Sequence, residues 1–385
     1  MNVSEPLRVV IQQPSLAKYR VPVYRRLAAE PGLDLTLVYG QDPGIPNVEP
    51  DGFAARFEPH RHLGPFVWST PQLRHAGRRD LDVLVMVWNS RWLSLPLALR
   101  RARRRGIRTV VWGHGYSKDE SPRRAALRKR IGLMADAMLF YSHTVADRYR
   151  ADGVDPEKIF VAPNALDQAP IQRARDAWLA DPARLQSFRQ RHNVPLDTEP
   201  ILYVSRLDPA NRLDLLLQAA AKLIPSRPRL RVHLVGRGED ETLRLRRLAE
   251  DLGVIDYVRF LGPIYGEDDL APWFLTARVF CYPANIGLSL HHAMGYGLPV
   301  VTADQPDAQN PEFEALRPGD NGAVYPPGDV QSLADTLRAY LEDDIRRVSA
   351  ATEAHRTATE RYDLDTMTRG YVDALRVHPP AVRPA

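Results

Sequence analysis

The sequence predicts an α/β protein made of two doubly wound, parallel-sheet domains. Three features predict it. Short β-rich apolar runs alternate with helical stretches through the first 165 residues, the pattern of strands buried on both faces. The alternation stops over 168–198, which is polar and holds no strand candidate. It restarts at Ile201 and runs to Tyr325, as a second sheet covered by helices would. At 385 residues, 44% hydrophobic and 26% charged, the chain is long enough to bury two cores.

Taken in order, Leu7–Ile11 reads as the first strand and Pro22–Glu30 as a helix opened by proline, whose fixed φ suits a first turn. Leu33–Tyr39, Val83–Val87, Thr109–Trp112, Ala137–Tyr141 and Ile159–Val161 complete the first set of strands. Residues 1–167 form the first domain on this reading. Segment 168–198 is the connection, with one helix from Pro170 to His192. Strands follow at Ile201–Val204, Arg231–Val235, Val258–Phe260, Val279–Tyr282, Leu298–Thr302 and Gly322–Tyr325, with helices at Asp214–Ile224 and Glu239–Leu252. These make a second domain over 199–360. Residues 361–377 contain an amphipathic helix, Asp363–Val377, expected to pack back toward the first domain. The Pro-rich tail 378–385 is expected to be disordered.

The lone cysteine, Cys281, lies in the apolar run Arg-Val-Phe-Cys-Tyr-Pro and reads as a core residue. No run of 18 apolar residues exists, and the N-terminus lacks a signal peptide's apolar core, so a cytoplasmic protein is expected. The net charge is +5, and only five of the 52 basic residues are lysine. Arg100–Arg108 and Arg123–Arg130 are densely basic. They read either as solvated helix faces or as a patch for an anionic membrane surface, which would hold the protein at the inner face of a membrane. No nucleic-acid-binding motif accompanies the charge, so no nucleic acid partner is expected.

The most informative stretch is Pro283–Val301, Pro-Ala-Asn-Ile-Gly-Leu-Ser-Leu-His-His-Ala-Met-Gly-Tyr-Gly-Leu-Pro-Val-Val. It reads as a turn, a short helix and a buried strand. Gly287 at the helix mouth lets a ligand approach closely. The N–H groups of Leu288 and Ser289 then offer an anion site, with phosphate the obvious anion.

This stretch resembles the donor-sugar loop of retaining GT-B glycosyltransferases, family four. Their pattern is a Glu, a Gly-Phe-Gly, a Glu-Ala-Met-Ala and a Gly-Xaa-Pro-Val. Asn285-Ile286-Gly287 and His292-Ala293-Met294 stand for the middle parts, and the two family glutamates fall on Ala284 and His292. The resemblance is strong over about 200–330 and looser over the first 165 residues. It implies two Rossmann-like domains facing a central cleft, with a nucleotide-diphospho-sugar bound by the second and a glycan or lipid-linked acceptor by the first.

Carried over position by position, Arg206 after the strand Ile201–Ser205 would stabilise the leaving diphosphate. The family's lysine five residues on is replaced by Asn211, with Arg212 beside it as a possible substitute cation. His292 would offer the nucleotide ribose one hydrogen bond in place of a carboxylate, with His291 the competing candidate, and Asn285 would offer an amide to the donor sugar. Gly236 and Gly238 resemble the glycine turn near the nucleotide, and Pro263-Ile264 the segment whose backbone meets the base. Glu312 and Glu314 are read either as stand-ins for a lost carboxylate or as helix-start charges. On the acceptor side, Lys18, Tyr19 and Arg20 follow strand one, and Lys18 and Arg20 place positive charge near the donor phosphates or a diphosphate acceptor. Asn89 follows another strand. His114, between two glycines at a strand end, has an ordinary pKa near 6.5 that suits proton transfer at neutrality. It is read as catalytic or as a histidine bonded to backbone.

The resemblance implies front-face sugar transfer with retention of configuration, in synthesis of a surface polysaccharide or glycolipid. No Asp-Xaa-Asp sits in a donor-loop setting, so neither a metal nor a cofactor beyond the donor is expected. Two other readings stay open. One is a non-catalytic GT-B protein that binds a nucleotide, glycan or protein partner, since both glutamates and the lysine are missing. The other is an epimerase, which needs acidic residues that the pattern does not place.

Overall fold

Strand β1 (Leu7–Gln13) lies inside a seven-stranded parallel sheet, because Val9, Val10 and Ile11 have no exposed face to spare. The structure, a computed structural model, describes residues 5–118 and 120–376. It divides into two compact units, one reaching to Asn164 and resuming at Leu364, the other Ala165–Asp363.

The first unit continues through α1 (Val21–Ala29), β2 (Leu33–Tyr39), β3 (Ala54–Phe57), β4 (Arg61–Leu63), β5 (Phe66–Trp68), α2 (Thr70–His75) and β6 (Val83–Val87). Then come α3 (Leu95–Arg104), β7 (Arg108–Gly113), α4 (Pro122–Gly132), β8 (Ala137–Phe140), α5 (His143–Ala151) and β9 (Ile159–Val161). The strand order is β3-β2-β1-β6-β7-β8-β9. The winding therefore reverses between β1 and β6, which makes that gap the switch point where ligands of such sheets bind. The sequence reading missed β3 and the antiparallel hairpin β4–β5. Their residues are mostly exposed, and at three or four residues each, even the apolar Phe66-Val67-Trp68 is too short to stand out as a strand.

The second unit starts with α6 (Gln168–Leu179) and α7 (Pro182–Arg191), not with one connecting helix from 170 to 192. Asp181 accepts from Arg184 N at 2.9 Å and caps a new helix. Pro182 cannot donate to the preceding turn, so the first helix ends there. Next are β10 (Glu199–Val204), α8 (Leu213–Leu223), β11 (Leu230–Val235), α9 (Glu239–Asp251), β12 (Val258–Gly262), α10 (Glu267–Thr276) and β13 (Val279–Cys281). The unit closes with α11 (Ser289–Gly295), β14 (Val300–Ala303), β15 (Gly322–Tyr325), α12 (Val330–Glu342) and α13 (Asp344–Arg356). Its parallel sheet runs β12-β11-β10-β13-β14-β15, so its switch point lies between β10 and β13. Cys281 is fully buried, and burial pushes its thiol pKa far up, consistent with an inert core residue.

The last helix, α14 (Leu364–Arg376), belongs to the first unit. Gly370 allows the contact: a Cβ there would lie 1.9 Å from the Val161 carbonyl oxygen. Tyr371 meets Trp112 edge-on at 4.7 Å, and Arg108 Nε donates to Ala374 O at 3.1 Å. Arg108 is thus buried in β7 rather than part of a solvated basic face. Val377 and the tail 378–385 lie outside the described residues. No helix among the described residues is long and apolar enough to cross a membrane.

Candidate functional site

At the switch point of the second unit, Arg206 leaves β10 and is exposed. Its backbone is fixed: Tyr203 Oη donates to Arg206 O at 2.7 Å, and Asn211 Nδ2 donates to the same oxygen at 2.9 Å. Asn211 is only 3% exposed. Its Nδ2 also donates to Tyr203 Oη at 2.8 Å, and its Oδ1 accepts from Asn285 Nδ2 at 3.1 Å. Its carbonyl accepts from Ala284 N at 3.3 Å. The expectation that Asn211 touches the donor is therefore corrected. A short amide at the base of the loop is consumed inside the protein, and it ties the loop after β10 to the loop after β13.

Arg212 does not supply the missing lysine's free charge either. It sits at φ +54°, a conformation that costs a non-glycine residue. Its guanidinium forks onto Asp214, Nε–Oδ1 3.0 Å and Nη2–Oδ2 2.9 Å. That hydrogen-bonded pairing raises its pKa and neutralises its charge locally.

Gly236 and Gly238 are demanded by packing. A Cβ on Gly236 would lie 1.7 Å from Ser205 O, and one on Gly238 2.1 Å from Leu207 O. The turn after β11 can thus lie flat on the Arg206 loop, where Leu207 N donates to Arg237 O at 2.8 Å.

After β13, Asn285 takes φ +62°. Asn310 Nδ2 donates to Asn285 O at 3.0 Å and Ile286 O at 3.1 Å, and Ile286 N donates to Gln309 Oε1 at 2.7 Å. Amides brace this turn where the family pattern has a glutamate. Gly287 is under no such demand, since a Cβ there would meet Asn310 Nδ2 at 3.4 Å, an ordinary contact. The N–H groups of Leu288 and Ser289 stand at the mouth of α11, before the bonding that begins with Leu290 N to Gly287 O at 2.9 Å.

The two adjacent histidines part company. His291 is fully buried with its ring stacked on Tyr362. His292 is half-buried, and its Nε2 lies 2.8 Å from Glu267 Oε1, which Tyr296 Oη also reaches at 2.6 Å. Sequence reasoning missed Glu267. Its signal was the acidic first turn Glu267-Asp268-Asp269 after Gly266. Glu312 and Glu314 do not take over a ligand role. They sit in the turn Pro311–Ala315, where Glu312 is buried. Glu314 bonds Tyr362, whose pKa is raised by burial and then by that carboxylate. Pro263 and Ile264 follow edge strand β12 and line a groove of about 940 Å3 with Phe188, His192 and Trp273. That places them two strands from the switch point.

In the first unit a pocket of about 310 Å3 opens at the switch point between β1 and β6. Asn89 and Arg91 after β6, His114 after β7, and Arg124 and Arg128 of α4 line it. Asn89 Oδ1 accepts from Arg91 N at 2.9 Å and shapes the turn. His114 is open to solvent on its pocket side, yet protein crowds the rest of the ring, with Tyr141 4.7 Å away. Burial, followed by the charges of Arg20, Arg128 and Lys118, pulls its pKa down to about 4. The expectation of a pKa matched to neutral pH is corrected, because this imidazole is neutral at pH 7.

Lys18 and Tyr19 are exposed on the single turn before α1. Arg20 is buried, with its guanidinium 4.8 to 5.0 Å from the rings of Tyr19, Trp112 and Tyr141, and Nη1 3.8 Å from Met367 Sδ. It pins α14 rather than meeting a ligand phosphate. No group of three His, Cys, Asp or Glu among the described residues is arranged to hold a metal.

Two parallel Rossmann-like sheets, with Arg206 and Gly287 at the switch point of one and Asn89 and His114 at that of the other, define the GT-B fold. The structure of the Anabaena protein HepE in complex with UDP is similar, with TM-score 0.73 and 17% identity over 96% of this chain and 99% of that one. The profile described as "Glycosyl transferases group 1" matches residues 198–343, and "Glycosyltransferase Family 4" matches 23–169. D-inositol 3-phosphate glycosyltransferase of Geodermatophilus obscurus is 30% identical over 92% of this chain and 84% of its own length. The enzyme of the same name from Thermomonospora curvata is 31% identical over 54% of this chain, a match spanning 48% of its own length. The chain belongs to glycosyltransferase family four.

Proposed function

We propose that the protein moves a sugar from a nucleotide-diphospho-sugar to a glycan or lipid-linked acceptor with retention of configuration, in the synthesis of a surface polysaccharide or glycolipid. One observation carries this reading: Asn211 locks the Arg206 loop to the 284–289 loop across the second sheet's switch point. A diphosphate there would meet the permanently charged Arg206 guanidinium on one side and the Leu288 and Ser289 N–H groups on the other. In the transfer step the bond from the anomeric carbon to the donor phosphate breaks, and a bond to the acceptor oxygen forms on the same face. The acceptor proton passes to the departing phosphate. Arg206 and the helix mouth stabilise the growing negative charge, usually the largest electrostatic contribution to such a step. Neutral His114 orients a hydroxyl by hydrogen bonding. Charge stabilisation from Arg206 leaves the step with no need for a metal, so chelator should not slow it.

Gly287 supports the donor role, because the backbone there does not require glycine while a bound phosphate would exclude a side chain. A peripheral position at an anionic membrane is supported by α3 and α4. They carry Arg100, Arg103 and Arg130 around exposed Leu127 and nearby Leu133.

Thermal stabilisation by a panel of UDP-, GDP-, ADP- and dTDP-sugars tests the donor reading. Donor at 100 times its Kd should add about 2.7 kcal/mol, and the shift should vanish in Arg206→Ala. The altered carboxylate positions Ala284 and His292 favour the second reading, a non-catalytic binding protein. A donor-induced shift without transfer to any acceptor would establish that instead.

A further inference from the structure

The pocket between β1 and β6 has a charge that the donor reading does not use. Arg91, Arg124, Arg128 and His114 line it, and no carboxylate among the described residues does. Glu120, a described carboxylate close by, is already spent on Arg128, with Nη2–Oε1 2.6 Å, Nε–Oε2 3.2 Å and both side chains buried. Arg91 and Arg124 are exposed, and neither forms an ion pair among the described residues. Arg20 lies behind the Trp112 and Tyr141 rings, which line the same pocket, and aromatic faces rather than a carboxylate hold it. The field inside is therefore positive from three sides. The pKa of His114 is lowered first by burial, and the charges of Arg20, Arg128 and Lys118 add to that.

We infer that this pocket receives a phosphate group carried by the acceptor, gripped by the Arg91 and Arg124 guanidinium forks. The inference deepens the glycosyltransferase reading, since it assigns the acceptor class to the first unit. Two planar forks match the oxygens of a phosphate. A phosphomonoester carries close to two negative charges at pH 7, which answers two unpaired cations better than a single carboxylate does. The volume, about 310 Å3, is at the small end for ligand sites and fits one ring with its phosphate rather than an extended glycan. The rings of Tyr116 and Tyr141 supply apolar walls for that ring. A hydroxyl of the same molecule then stands at His114 for transfer.

The phosphate has two possible sources, a soluble phosphorylated polyol or sugar and a lipid headgroup. Helix α4 borders both the pocket, through Arg124, and the basic leucine-bearing face, through Leu127 and Arg130.

The test measures binding to the full chain by calorimetry and by tryptophan fluorescence, since Trp88 and Trp112 line the pocket. The probes are D-inositol 3-phosphate, unphosphorylated myo-inositol, and a short-chain phosphatidylinositol below its micelle concentration. At least one phosphate probe is expected to bind tenfold or more tighter than myo-inositol. Arg91→Gln and Arg124→Gln should each lose about tenfold while keeping the wild-type melting point and the nucleotide-induced shift. A tighter phosphomonoester identifies the soluble source, and a tighter phosphatidyl probe identifies the lipid. Equal binding of myo-inositol, phosphate binding untouched in both variants, or no binding of either phosphate probe would overturn the inference. Phosphate binding that persists while every nucleotide fails to stabilise the protein would overturn the donor reading alone.

Discussion

Asn211 Nδ2 lies 2.9 Å from the carbonyl oxygen of Arg206, five residues back along the chain. The position carries a lysine in the family pattern, and here it has become a buried strut. The change is chemically coherent, because the glutamate position Ala284 has lost its charge as well. The family's lysine and glutamate are both gone, and the amides of Asn211, Asn285 and Asn310 hold the two loops in their place.

Removing that strut should separate stability from chemistry only partly. Asn211→Ala leaves Arg206 O with one donor and breaks the contact to Asn285. Loss of buried hydrogen bonds of this kind costs about 2–3 kcal/mol. The melting point should fall accordingly, and donor affinity should fall further, by tenfold or more, because the loops on both sides of the switch point loosen. Unchanged donor binding in a destabilised variant would show that the amide serves the fold alone.

Gly287→Ala should do the reverse. The residue lacks a positive φ, and a Cβ meets nothing closer than 3.4 Å. Such a substitution stiffens the unfolded chain and stabilises by about 0.4–1 kcal/mol. A methyl group beside the bound phosphate should nevertheless weaken donor binding at least tenfold. A variant that is more stable and binds donor as tightly as wild type would remove this loop from the phosphate site.

Much of this was legible in the sequence, and the misses share a cause. Parallel strands buried on both faces announce themselves as apolar runs, so β1, β2, β6, β7 and most of the second sheet were read nearly to the residue. β3 and the β4–β5 hairpin are only three or four residues per strand and mostly exposed, so they leave no such trace. The loops that hold Arg206 and Gly287 were placed because the strands before them were. What failed was side-chain destination. Sequence position put Arg20, Asn211 and Glu312 beside the candidate site, yet all three are buried. Glu267 reaches His292 from a different helix, a contact that only tertiary packing creates.

His114 gives a pH signature of definite sign. Its pKa is lowered from 6.5 to about 4, first by burial and then by Arg20, Arg128 and Lys118. The unfolded chain takes up its proton near pH 6.5, and the folded protein only near 4. Its contribution to stability is therefore intact above about 6.5, falls as pH drops through that window, and is fully lost below about 4. Transfer dependent on the neutral ring should stay flat from pH 6 to 8 as far as this group is concerned, with an acid limb near 4. His114→Gln, which keeps a hydrogen-bonding group without the titration, should retain more activity than His114→Ala and lose that limb. An acid limb centred at 6.5 in the wild type would mean that the ring titrates as an ordinary histidine.

The basic face of α3 and α4 makes the last expectation. Arginines alone would read as a solvated surface, but here Arg100, Arg103 and Arg130 line a groove with Leu99, Leu127 and Leu133. Near an anionic bilayer each such cation contributes about 1 kcal/mol, roughly fivefold in partitioning. Arg100→Gln with Arg103→Gln should weaken sedimentation with phosphatidylserine-containing vesicles about 25-fold at low salt, and the wild type should release as ionic strength rises. Leu127→Ser with Leu133→Ser should weaken whatever binding survives high salt, because that remainder comes from apolar contact. Neither change touches the pocket lined by Arg91 and Arg124. Acceptor binding in solution should therefore be unaltered while vesicle binding falls, and a protein that ignores anionic vesicles from the outset would return this face to the solvated class.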